Sequence, residues 1–192
     1  MRLLVFPIHE PLPGGVLHDM AAEVGGTESA RRYRAVALTT LRQLRGLTDT
    51  RIRLACQPDD AEEAIRFWLL PKLADRWMQD DGVFRCDGWE IDFGGSDEEF
   101  EVVAEADLMC PGLGARWVHT ALLGMERGRH RVRGPAEQGG DYFTATAHAA
   151  ANEADETLLP ALPVVRLAAD WVSALDGPLG RSLKRAWEEE QR

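Results

Sequence analysis

Segments with the two-residue period of a strand alternate along this chain with segments carrying the 3.6-residue stripe of a helix. That alternation favours α/β layers around a central sheet. Arg2 to Ile8 is rich in β-formers and opens the pattern. After a Gly/Pro-rich stretch, Ala30, Tyr33, Ala37, Leu41 and Leu44 fall on one helix face, with Thr27 placed to cap it and arginines on the other side. Arg51 to Cys56 alternates Ile52 and Leu54 against Arg51 and Arg53, a second strand. A helix is expected from Asp59 or Asp60, interrupted at Pro71, with Leu73 and Trp77 in a second piece. Phe84-Arg85-Cys86 and Trp89 to Phe93, joined by Asp87-Gly88, predict a hairpin with a type I′ turn. Strands are further expected at Phe100–Glu105, Arg129–Arg133, Tyr142–Thr146 and Val164–Leu167. Helices follow Cys110-Pro111-Gly112 and fill the tail around Trp171 and Trp187. No repeat or linker divides the 192 residues, so one domain over 1–192 is expected.

Composition narrows the partners. The chain is 45% hydrophobic and carries a net charge of −10, which repels phosphate backbones and anionic lipid and argues against nucleic acid and membrane. No run approaches the roughly 18 apolar residues of a bilayer span. Cys56, Cys86 and Cys110 show no C-x-x-C and no zinc-ligand spacing, and read as reduced thiols of a cytoplasm. The five histidines form no metal-binding pair, and no Gly-x-Ser-x-Gly marks a hydrolase elbow.

Three loops stand where an open α/β sheet binds ligands, beyond the carboxyl ends of strands. His9 to Gly26, with Pro13, Gly14 and Gly15, can bring backbone N–H groups to a phosphate, although it has neither a Walker pattern nor any Lys or Arg. It suits a plain surface connector equally. Glu105 and Asp107, two apart at a strand end, point to one face and can share a Mg²⁺ or Mn²⁺ ion, or simply be solvated. Glu137, Gly139, Gly140 and Asp141 combine acids with a backbone that must approach something closely, or make a turn. Arg129, Arg131 and Arg133 share one strand face, as cations for a site or as a guard against edge pairing.

Pro11-Leu12-Pro13-Gly14, Arg32-Tyr33-Arg34-Ala35, Cys110-Pro111-Gly112-Leu113, Gly134-Pro135-Ala136 with Gly139-Gly140, and Leu159 to Pro163 occur in an order and spacing that covers nearly the whole chain. Together they resemble a family of small bacterial glycosyltransferase-like proteins, some assigned to arsenosugar biosynthesis. The resemblance implies a Rossmann-like glycosyltransferase-A fold, that of nucleotide-diphospho-sugar transferases: three layers, α/β/α, with a mixed central sheet. On such a fold, the three loops would hold a nucleotide-sugar donor over Pro13, Gly14, Gly15 and His18 with Gly139 and Gly140. A divalent ion would lie at Glu105 and Asp107, and a small-molecule acceptor against the catalytic candidates Glu137 and Asp141.

The chain departs from the family pattern where phosphates would bind. The family follows its Pro-x-Pro-Gly turn with Val-Lys-Thr-Arg-Leu; here the residues are Val16-Leu17-His18-Asp19-Met20. The family's acid before the cysteine is replaced by Met109, and the acid pair before the double glycine reads Glu137-Gln138. The expectation is a glycosyltransferase-like protein with a degenerate or rebuilt donor site. A non-catalytic binding or assembly protein is the alternative, as is a nucleotidyltransferase of the same fold, similar to phospholactate guanylyltransferases. A homodimer seam through Trp171 and Trp187 fits the tail.

Overall fold

The computed structural model describes residues 1–86, 88–126, 131–146 and 156–191. Asp87, Arg129, His130 and His148, which entered the expectations above, lie outside the described residues. Strand β1 (Arg2–His9) runs through the middle of the sheet, with Leu4, Phe6 and Ile8 fully buried on one face. β2 (Thr50–Gln57) lies parallel beside it from Arg2↔Thr50 to His9↔Gln57, and β6 (Val102–Ala106) lies parallel on its other side. The remaining strands are β3 (Met78–Asp80), β4 (Val83–Cys86), β5 (Trp89–Asp92), β7 (Arg131–Pro135), β8 (Asp141–Thr146) and β9 (Glu156–Leu158). Among the described residues they form one nine-stranded mixed sheet in the order β3-β4-β5-β2-β1-β6-β8-β7-β9. β5, β2, β1 and β6 are parallel; β4 and β8 run antiparallel to their inner neighbours.

The helices are α1 (His18–Val24), α2 (Gly26–Gln43), α3 (Glu62–Leu73), α4 (Ala115–Glu126), α5 (Ala168–Asp176) and α6 (Gly180–Glu189). The expected stripe of α2 is the one that packs: Ala30, Tyr33, Ala37, Leu41 and Leu44 are all buried. Both Thr39 and Thr40 are also buried, and each hydroxyl bonds back to the carbonyl four residues earlier. Thr40 reaches further, to the Leu108 carbonyl at 2.7 Å, and so ties α2 to the turn after β6.

Local expectations need four corrections. The segment from His9 to Gly26 is not all loop, because His18–Val24 forms a short helix that buries Met20. Thr27 is not the cap of α2, which starts at Gly26 with Gly25 before it. Pro71 does not interrupt α3; a proline near a helix end disturbs only the last turn, and Trp77 lies beyond the helix, donating its indole N–H to the Leu70 carbonyl. Val164–Leu167 is not a strand. Its Val164 N–H is satisfied by the Gln138 side chain and its Val165 N–H by the Met109 carbonyl, so no ladder forms.

The second face of β2 is unusual. Arg51 and Arg53 are buried there, and the segment from Gly94 to Glu101 covers them. Arg53 makes two bonds to Asp92 and further ones to Gly95 and Asp97. Arg51 pairs with Glu90 and Glu99, and both guanidinium groups lie over the Phe100 ring at 5.2 and 5.8 Å.

Candidate functional site

The chain leaves β1 on one side through α2 to β2, while β6 joins β1 from the other side. Strand order therefore diverges at β1, and a crevice opens beyond the carboxyl ends of β1 and β6. A cleft of about 790 Å³ fills that position. His9 and Pro7 supply its β1 wall, Gly15 to Asp19 one lip, Glu105 to Met109 the floor, and Asp141 to Thr144 the β8 wall; Arg166 reaches in from the tail.

The lip is held firmly. Gly26, at the start of α2, lies so close to Gly14 that a Cβ there would sit 2.6 Å from the Gly14 nitrogen. Ser29 donates to the Val16 carbonyl at 2.9 Å, and Arg34 to the Pro11 carbonyl at 3.1 Å. Leu17 is forced into the left-handed region with φ 49°, a conformation that costs a non-glycine residue about 1–2 kcal/mol. The turn thus spends carbonyls of Pro11 and Val16 on side chains of α2, and Gly26 at the start of α2 abuts Gly14.

Arg166 is the functional candidate that sequence reasoning missed. Its guanidinium lies 2.7 Å from Asp107 Oδ2, while Asp107 Oδ1 accepts the Met109 N–H at 2.8 Å. Both carboxylate oxygens are therefore occupied, and the aspartate aims an arginine at the cleft. Arg166 is 53% exposed, so the pair is solvent-screened and its guanidinium keeps donors free to face a ligand. Arg166 is far from Asp107 in sequence, and only the course of the tail brings them together.

The expected residues divide into two groups. Gly15, His18, Glu105, Asp107 and Asp141 converge on the cleft; Pro13, Gly14, Glu137, Gly139 and Gly140 do not line it. Gly139 and Gly140 have φ 99° and 78° with open space around them, so they shape the turn between β7 and β8. Asp141 lines the cleft but forms a two-bond pair with Arg133, both bonds 2.9 Å. Arg131 and Arg133 face Glu156 on β9, so β7 is not a sheet edge and these cations are committed. Glu105 is exposed, and its carboxylate has no hydrogen-bond or ion-pair partner among the described residues.

The charge at Asp107 opposes a divalent ion held jointly by Glu105 and Asp107. Each Asp107 oxygen already accepts one hydrogen bond, the Arg166 guanidinium places positive charge beside that carboxylate, and no three His, Cys, Asp or Glu side chains converge among the described residues.

Tyr33 closes the floor from α2. Its hydroxyl accepts the His9 N–H at 2.8 Å, and burial raises its pKa well above the ordinary tyrosine value, so it stays protonated. Burial likewise pushes the Cys110 thiol up to about 12, with Asp107 adding to the effect, which leaves Cys110 a structural thiol rather than a nucleophile.

This sheet order and cleft define the nucleotide-diphospho-sugar transferase fold. A crystal structure of a proposed nucleotide-diphospho-sugar transferase from Desulfovibrio desulfuricans superposes with a TM-score of 0.66 at 18% identity, covering 99% of this chain and 95% of that one. Rv0371c from Mycobacterium tuberculosis gives a TM-score of 0.48 at 10% identity, covering 92% and 97%. The 4-diphosphocytidyl-2C-methyl-D-erythritol synthase of Anaerococcus prevotii gives 0.44 at 12%, covering 100% and 96%. Neither of these two weaker superpositions adds to the fold assignment. No family model and no curated protein sequence matches the chain.

Proposed function

We propose that the chain is a glycosyltransferase-like protein whose donor site has been rebuilt around Arg166. The observation that carries this reading is the Asp107–Arg166 pair in the fold's ligand crevice. The resembled family places two cations in the turn after β1; here that turn has none, and one arginine enters the same cleft from the tail instead. A nucleotide-linked ligand would lay its phosphates against Arg166, with Asp107 fixing the guanidinium and His18 at the lip. If transfer occurs, Glu105 on the cleft floor would take the proton from an acceptor hydroxyl, since Asp107 and Asp141 are held in ion pairs and Asp19, the other cleft carboxylate, stands on the lip. That same commitment of two carboxylates favours the second reading, a protein that binds such a ligand without turnover. A nucleotidyltransferase would use the same phosphate contact.

Thermal unfolding against UDP, GDP, ADP, CDP, dTDP and CTP, each with Mn²⁺, Mg²⁺ or EDTA, tests the proposal. A nucleotide at about 100 times its Kd stabilises the fold by about 2.7 kcal/mol, a rise of several degrees in Tm. The rise should survive EDTA and disappear in Arg166→Ala, whose unliganded Tm should stay near that of the parent because the pair is exposed. No rise with any nucleotide, or one that Arg166→Ala retains, would overturn it. A rise abolished by EDTA would return the phosphate to a metal ion.

A further inference from the structure

Away from the cleft, α2, α5 and α6 enclose a groove of about 440 Å³ lined by Arg32, Trp171, Leu175, Gly180, Arg181, Lys184 and Trp187. Its charge is opposite to that of the molecule. The chain carries −10 overall, yet the lining holds three cations and no carboxylate. Arg181 and Lys184 stand exposed, one turn apart on α6, with no ion-pair partner among the described residues.

Arg32 is held in place for the groove. Its Nε bonds Glu28 at 2.8 Å and its guanidinium lies over the Trp171 ring, 5.4 Å from the centroid. Its two Nη groups have no hydrogen-bond partner among the described residues. Glu28 also accepts the Trp187 indole N–H at 3.2 Å, so one carboxylate orients both an arginine and an indole. Trp187 and Leu175, each half-buried, supply the apolar wall. Donors, a fixed aromatic wall and a volume within the range of small-ligand pockets are thus combined.

We infer that this groove binds a small aromatic anion, a flat ring bearing a carboxylate, sulfate or phosphate group. Arg32, Arg181 and Lys184 take the charge, and the ring lies against Trp187 and Leu175. The site is separate from the Arg166 cleft and shares no lining residue with it.

Isothermal titration of the full chain with 1-naphthyl phosphate, 1-naphthoate, 1-naphthol and inorganic phosphate provides the test. Saturable binding of the two aromatic anions is expected, with the neutral naphthol and the ring-free phosphate each about tenfold weaker or worse, as the loss of one charge-assisted contact implies. Arg181→Ala with Lys184→Ala should weaken 1-naphthyl phosphate by about tenfold or more. Both positions are exposed, so Tm should hold. Arg166→Ala should leave this binding unchanged. Three results would each overturn the proposal: equal binding of 1-naphthol, binding lost in Arg166→Ala, or a dimer whose hydrogen exchange shows α6 protected in the absence of ligand.

Discussion

Tyr142 is wholly buried, and its hydroxyl donates to the Pro160 carbonyl at 2.9 Å, pinning the tail against the β7–β8 pair. Its ring lies over Gly134, where a Cβ would meet ring carbons at 2.5, 2.7 and 2.9 Å. A buried ring held at its far end cannot swing away. Gly134→Ala should therefore cost about 1–3 kcal/mol, the usual penalty of overpacking, and lower Tm by several degrees in a thermal melt. An unchanged Tm would show that the ring and backbone yield more easily than this packing implies. The same region shows what single residues disclose in a sequence. Gly139-Gly140 announces a close approach, but those two residues serve a turn and stand in open space. Gly134 makes the close approach, and its Gly-Pro neighbourhood reads only as a strand end, because the ring it accommodates arrives from the neighbouring strand.

Among the elements, β2 shows how far alternation can be read. Ile52 and Leu54 against Arg51 and Arg53 describe a strand correctly, and its pairing with β1 follows. The pattern also implies a wet arginine face, whereas Arg53 is only 6% exposed. Hydrogen bonding to Asp92 raises the Arg53 pKa further, against the opposing effect of burial. Removing one partner of a buried pair strands the other, so Asp92→Ala should destabilise by about 3–5 kcal/mol in urea unfolding. Asp97→Ala, at a position 55% exposed, should cost far less. Equal effects would show that the pair is not desolvated as its burial indicates. The stripe of α2 and the two strands of the 83–92 hairpin are legible because their partners are periodic and local. α1, with one buried residue and no capping side chain, carries no such periodic signal.

At the scale of the molecule, the buried ionisable groups Cys56, Cys110, Tyr33 and Tyr142 all have pKa values raised first by burial, Cys56 to about 11 and Cys110 to about 12. Each folded value lies above the unfolded one, so the unfolded chain releases these protons first. Their contribution is whole below the ordinary thiol value of 9.0. It drains as pH rises through 9.0 for the thiols and 10.0 for the phenols toward the folded values. Melts across that interval should show a steadily falling Tm, and a flat profile would contradict the burial of these groups. The fold as a whole was legible from alternation and from the ordered family motifs. The cleft was legible only in part, since Arg166 is brought into it by tertiary contacts.

Arg166 follows every strand of the sheet in the chain, and it is seated by the Met109 carbonyl holding Val165 and by Asp107. On the ribosome, then, sheet and crevice can assemble while the crevice still lacks its arginine. If the crevice holds an anion as proposed, that affinity would arise only after the sheet has formed, when the segment carrying Arg166 docks, so ligand binding would report that docking rather than assist the sheet.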